Sequence, residues 1–117
     1  MVAVYDATNG LAGLPSDDLE ARAAEAEAFL RSLASRHRLM ILCSLVGGEQ
    51  PAGELGRRLG LTPSNLSRHL AGLRAQALVA ARREGSVVFY RIESPRVRPI
   101  LTELCRLFSA GGAEVTQ

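Results

Sequence analysis

Ser64, Asn65, Ser67 and Arg68 lie within five consecutive positions, directly behind the pair Thr62-Pro63. Short hydroxyls, a carboxamide and a guanidinium are the groups that bond to base edges and phosphate oxygens. A second basic cluster follows, with Arg82 and Arg83 beside Glu84-Gly85-Ser86 and Arg91 further on. Arginine at such a place suits a phosphate or the wall of a minor groove. Two thiols, Cys43 and Cys105, and two imidazoles, His37 and His69, complete the reactive inventory. A thiol enzyme would need a Cys-x-x-Cys spacing or a cysteine with a nearby base, and neither spacing is visible. No paired carboxylates, Gly-rich phosphate loop or Ser-His-Asp set stands out either, so an enzyme is not expected.

The elements that must hold these groups can be read outward from them. Ala52 to Leu59 is rich in helix formers, with Leu55 and Leu59 one turn apart on one face. Gly60 then stands where a left-handed helix terminus favours glycine. Thr62 is a good N-cap and Pro63 is preorganised for the first helical position. Leu66, Leu70 and Leu73 recur as one apolar stripe of a second helix, which leaves Ser64, Asn65, Ser67 and Arg68 on the polar side. Leu78–Arg83 and Val87–Ile92 are β-rich runs around a Gly-centred turn, the second alternating with a period of two. A solvated helix face and a solubilising strand edge are the plain alternatives. Helix, turn, helix and basic hairpin in this order instead give the layout of a winged helix-turn-helix, whose second helix enters the major groove of DNA. A winged helix used only for protein contacts would be expected to lack the polar face and the basic hairpin.

Three more helices frame the module. Ser16 is the expected N-cap of the first, with Asp17 and Asp18 in its opening turn and Leu19, Ala23, Ala26, Leu30 and Leu33 spaced for a helix–helix seam. Arg36 to Val46 contains Leu39-Met40-Ile41-Leu42-Cys43, apolar nearly all round, and so is expected to be buried. Ser94-Pro95 opens the last helix, which runs to about Phe108 with Val97, Leu101, Leu104 and Phe108 in its stripe. The expected fold is therefore mainly α with a small β-hairpin, five helices with the hairpin between the fourth and the fifth. A chain of 117 residues has one modest core, which cannot easily cover two amphipathic terminal helices. Pairing with a second copy would bury them, so a homodimer is expected, with the two-fold symmetry that palindromic DNA mirrors.

The net charge is only +2, and all of the basic count is arginine. Those arginines gather in the module, while acids gather in the first helix, which fits one DNA-facing side on a nearly neutral body. No apolar run is long enough for a membrane span, and the start MVAVYDATNG lacks the features of a secretory leader. The expected compartment is the cytoplasm, where both cysteines would be reduced. Residues 1–15 read as a loose arm, 16–109 as the winged domain with dimerising terminal helices, and 110–117 as a frayed tail.

Leu33-Ala34-Ser35-Arg36-His37-Arg38-Leu39-Met40-Ile41-Leu42 resembles the LADPTRLRIL signature of the ArsR-type repressors. Glu54 to Leu61, the S-x-H-L-x-x-L pattern within Ser64 to Leu73, and Arg82-Arg83-Glu84-Gly85 with Val88 to Ile92 match that family's helix-turn-helix and wing. The resemblance covers roughly residues 30–108. It implies a dimeric repressor that holds double-stranded operator DNA until an inducer releases it. The family's arsenic-type site is a C-x-C cluster in the helix-turn-helix region, where this chain has no cysteine. Its terminal-helix zinc site needs histidine and carboxylate ligands, whereas this last helix offers Glu93 at its entrance and Glu103. No metal site and no cofactor are therefore expected, and His69, within the S-x-H-L pattern, reads as a structural or backbone-contact residue.

Cys43 matches the position of a sensing cysteine in the family's sulfide- and redox-responsive (SqrR/BigR-like) branch. That branch pairs it with a cysteine on the last helix, which aligns here with Ser109 rather than Cys105. Cys105 and Ser109 are one turn apart on the same face, about 6 Å along the axis. The resemblance thus implies release by a thiol-reactive signal, persulfide or oxidant, at a Cys43–Cys105 pair. A response to a metalloid such as trivalent arsenic, and a non-sensing protein whose cysteines are small buried hydrophobes, stay open at this point. Set in a packed apolar helix, Cys43 should have an ordinary or raised pKa unless an arginine or histidine lies nearby.

Overall fold

The computed structural model describes residues 13–109, so most of the expected arm and all of the expected tail lie outside the described residues. The chain divides into two compact units after Ala34. The first holds α1 (Ser16–Leu33), whose Asp17 and Asp18 open it and whose Arg31 closes it in the sense the helix dipole favours. Ser16 is not its cap. Pro15 occupies that position without a side-chain bond, and its carbonyl accepts from the Leu19 N–H at 2.7 Å. Arg22–Glu25 and Arg31–Glu27 pairs line the exposed face. Leu33 is buried, while Leu30 remains exposed.

The second unit contains α2 (Arg36–Leu45), β1 (Gln50–Pro51), α3 (Ala52–Leu59), α4 (Pro63–Ala75), β2 (Val79–Glu84), β3 (Val87–Ile92) and α5 (Val97–Phe108). Its core gathers Ile41, Leu42 and Leu45 of α2, Leu55 of α3, Leu66, Leu70 and Leu73 of α4, and Val97 and Leu101 of α5. Full burial of each such side chain contributes on the order of 1.5–3 kcal/mol. The expectation that α2 is buried all round does not hold. Only the Ile41, Leu42 and Leu45 face is inside, whereas Met40 is 36% exposed and Cys43 is exposed too. A core this small receives one face of the helix, and the other apolar face comes to the surface.

Local chemistry sets the turn between α3 and α4. Gly60 ends α3 at φ 67°, and the Leu61 N–H donates back to the Gly56 carbonyl at 3.0 Å. The Thr62 hydroxyl accepts from the Asn65 N–H at 3.2 Å, with Pro63 opening α4 as expected. The other end of α4 carries no such signal in the sequence. Ala77 takes φ 59°, and the N–H groups of Ala77 and Leu78 return to the carbonyls of Arg74 and Leu73 at 2.9 Å each. This is a Schellman closure with alanine where glycine is usual.

The sheet has three antiparallel strands in the order β1-β3-β2. The hairpin register runs from Val79 opposite Ile92 to Glu84 opposite Val87. Its loop is thus Gly85-Ser86, with Gly85 at φ 63° in the first central position that a II′ turn gives to glycine. β1 pairs Gln50 with Tyr90 and Pro51 with Phe89. Two residues with a proline carry no strand signature in sequence, and an edge is where proline is tolerated.

Candidate nucleic-acid interface and thiol pair

The caps at Thr62 and Pro63 fix the rotation of α4, and that rotation decides which side chains face outward. Leu66, Leu70 and Leu73 are buried against the rest of the unit, while Ser64, Ser67 and Arg68 are exposed and Asn65 is half-buried. The expected polar face is therefore continuous. Within it an Arg68 Nη2–H donates to the Asn65 carboxamide oxygen, so the two side chains are mutually oriented. A guanidinium has five donors, so most of those of Arg68 remain for a ligand.

The wing presents its two arginines differently. Arg83 is exposed and has no ion-pair partner among the described residues. Arg82 is held: its Nε–H and Nη2–H donate to the two Glu49 carboxylate oxygens at 2.8 Å each. The guanidinium carbon also lies 4.4 Å from the centre of the Phe89 ring, its neighbour across the sheet. The bond from Arg82 holds the Glu49 carboxyl below its ordinary range, and the carboxylate in turn raises Arg82. Sequence reasoning places Arg82 with Arg83 as an open cation and does not single out Glu49.

Where α2 meets α4, the His37 and His69 rings stand 5.5 Å apart at 53°. His69 is pushed down from its usual pKa, first by burial and then by the charges of Arg38, His37 and Arg68. The Arg38 guanidinium lies directly over Gly72, so close that a Cβ there would displace it. The start of α2 thus rests on the back of α4. Among the described residues no three His, Cys, Asp or Glu side chains assemble as a metal site.

The two cysteines meet. Cys43 of α2 and Cys105 of α5 are free thiols in one groove of about 410 Å³ lined by Leu39, Leu101, Leu104 and Phe108. Ser109 lines the same groove, one turn beyond Cys105. Both cysteines are exposed, yet the apolar walls partly desolvate the Cys43 sulfur. Burial is the main reason its pKa is raised, followed by the repulsion of a Cys105 thiolate and a hydrogen bond to Cys105. α5 is tied to α2 a second time, by an Arg98 guanidinium bond to the Val46 carbonyl.

Residues 35–81 match the family model described as "Bacterial regulatory protein, arsR family". The chain is also 41% identical, over 100 residues spanning 84% of it and 93% of the relative, to the transcriptional activator HlyU of Vibrio cholerae. The chain belongs to the arsR family. A biofilm growth-associated repressor of Xylella fastidiosa is 35% identical over 94 residues, covering 80% of this chain and 82% of that one. The structure of reduced HlyU from Vibrio cholerae superimposes with a TM-score of 0.76 over 79% of this chain and 97% of its own. As an arsR-family member the chain is a DNA-binding transcription regulator with a winged helix-turn-helix, and not an enzyme. No helix among the described residues is long and apolar enough to cross a membrane.

Proposed function

We propose that the chain is a dimeric, cytoplasmic repressor of a palindromic operator, released when Cys43 and Cys105 become bridged. α4 would lie in the major groove, with Ser64, Asn65, Ser67 and Arg68 toward base edges and phosphates, and the wing would bring Arg82 and Arg83 to the backbone. The observation that carries the switch is the pair of free thiols that share one apolar groove between α2 and α5. A protonated, partly desolvated thiol is a poor partner for simple oxidants. With a persulfide RS–SH the bridge forms in two exchanges, each an attack by the small thiolate fraction of a cysteine. The Cys43 thiol takes the sulfane sulfur and releases the thiol RSH, which leaves a persulfide on Cys43. Cys105 then attacks the Sγ of Cys43 itself, the bond from that Sγ to the outer sulfur breaks, a Cys43–Cys105 disulfide forms, and the outer sulfur leaves as hydrogen sulfide.

α2 transmits the change because it touches both sides. Its Cys43 faces α5, and its first turn lies against His69 and Gly72 of α4. Locking α2 to α5 therefore biases the angle at which α4 is presented to half-sites about 34 Å apart. Treatment with a sulfane-sulfur donor should lower operator affinity and leave an intramolecular Cys43–Cys105 link visible by mass spectrometry. The Cys43→Ser protein should stay bound under the same treatment. Wild type that remains fully reduced and DNA-bound after both persulfide and peroxide would refute the switch.

A further inference from the structure

Glu49 sits at the entrance to β1 and grips Arg82, one of the two wing arginines that sequence alone would leave open. The pair is a fork-on-fork contact, two N–H···O bonds of 2.8 Å between Arg82 and Glu49. Both partners remain in reach of solvent, at 44% and 28% side-chain exposure. A second carboxylate, Glu84, lies 3.7 Å from the same guanidinium. Phe89 holds the planar group from one face. The Arg82 head is thus kept on the wing surface, in a fixed plane, with a carboxylate on its hydrogen-bonding edge. That edge is the one a phosphate would use, since the guanidinium fork matches the two oxyanions alike.

Glu49 and DNA phosphate then ask for the same donors. A carboxylate left beside a phosphate would be repelled, and a half-exposed ion pair is weak enough to be exchanged. We propose that Glu49 is an internal competitor for Arg82, which leaves the carboxylate for a backbone phosphate when duplex DNA binds. Glu49 thereby lowers the affinity of the wing for all sequences, and Arg83, one position along and without an ion-pair partner among the described residues, makes the first contact. This rests on the reading of the wing as a DNA contact.

The test is fluorescence anisotropy with a random-sequence duplex across a salt series, which needs no knowledge of the operator. Four proteins are compared: the parent, Glu49→Gln, Arg82→Ala and the double variant. Glu49→Gln should bind roughly two- to fivefold tighter than the parent, the strength of an exposed pair, with the same salt slope. Arg82→Ala should bind more weakly, with a slope smaller by about 0.9. Adding Glu49→Gln to Arg82→Ala should then gain little. If Glu49→Gln binds no tighter than the parent, or gains as much without Arg82, the competition does not exist. An Arg82→Ala protein that binds like the parent overturns it as well. A parent that binds no duplex at any salt removes the DNA reading itself, and the inference with it.

Discussion

Arg68 and Arg83 are both exposed guanidiniums, but they stand on different supports. Arg68 projects from α4 and is oriented by Asn65, which favours a directional contact with a base edge. Arg83 is near the end of the hairpin and has no ion-pair partner among the described residues to fix its plane. Arg68→Ala is therefore expected to cost roughly 1–3 kcal/mol at the preferred operator and to narrow the gap between operator and random DNA. Arg83→Ala should weaken binding to every sequence and flatten its salt dependence. Equal losses on operator and random duplex for both variants would contradict the division. The outward face of α4 was legible because a leucine stripe of helical period defines its opposite. The fate of Arg82 was not, because Glu49 reaches it from outside the hairpin through a pairing that only the fold creates. The thiol partner was half legible: helical spacing put Cys105 and Ser109 on one face, and only the packing of α5 on α2 brought Cys105 to Cys43.

At the scale of elements, two helix ends show the same backbone problem solved by different residues. Gly60 closes α3 at φ 67° with open space around its Cα, so a side chain there meets no atom but must adopt a left-handed backbone. Ala77 closes α4 at φ 59° and already bears that strain. An L-residue in this region costs about 1–2 kcal/mol, offset in part by the greater chain entropy that glycine loses on folding. Gly60→Ala should therefore destabilise the protein by about 1 kcal/mol, and Ala77→Gly should stabilise it by about 0.5–1 kcal/mol. Urea titrations of the two variants check the opposite signs, and a shared sign would show that the helix ends are not governed by the backbone. The first end was readable because glycine announces it. The second was hidden because alanine signals helix continuation, and the chain turns there because Leu73 and Leu78 must both be buried. β1 was hidden for a similar reason: its pairing is dictated by β3, not by its own two residues.

At the scale of the whole molecule, large apolar side chains of α2 and α5 stand exposed on the second unit. Phe108 is 80% exposed and Leu107 43%, both at the end of α5, and Met40 adds to the apolar outer face of α2. α5 was expected to be an amphipathic helix seeking a partner, and its stripe splits accordingly. Val97 and Leu101 go inward, while Phe108 is left out. A phenylalanine stranded at a helix end is poorly explained by the fold of one copy and well explained by a second. Burying one such ring contributes roughly 1.5–3 kcal/mol, and a two-fold interface buries it twice. Phe108→Glu should therefore weaken the dimer by roughly two to four orders of magnitude. Sedimentation at micromolar concentration should find the parent paired and this variant monomeric, with the helix content of the two unchanged. Operator affinity should fall with dimerisation, because a monomer holds only one half-site, while binding of random duplex per subunit should change far less. A parent that sediments as a monomer at that concentration would remove the dimer, and the spacing mechanism of release would go with it.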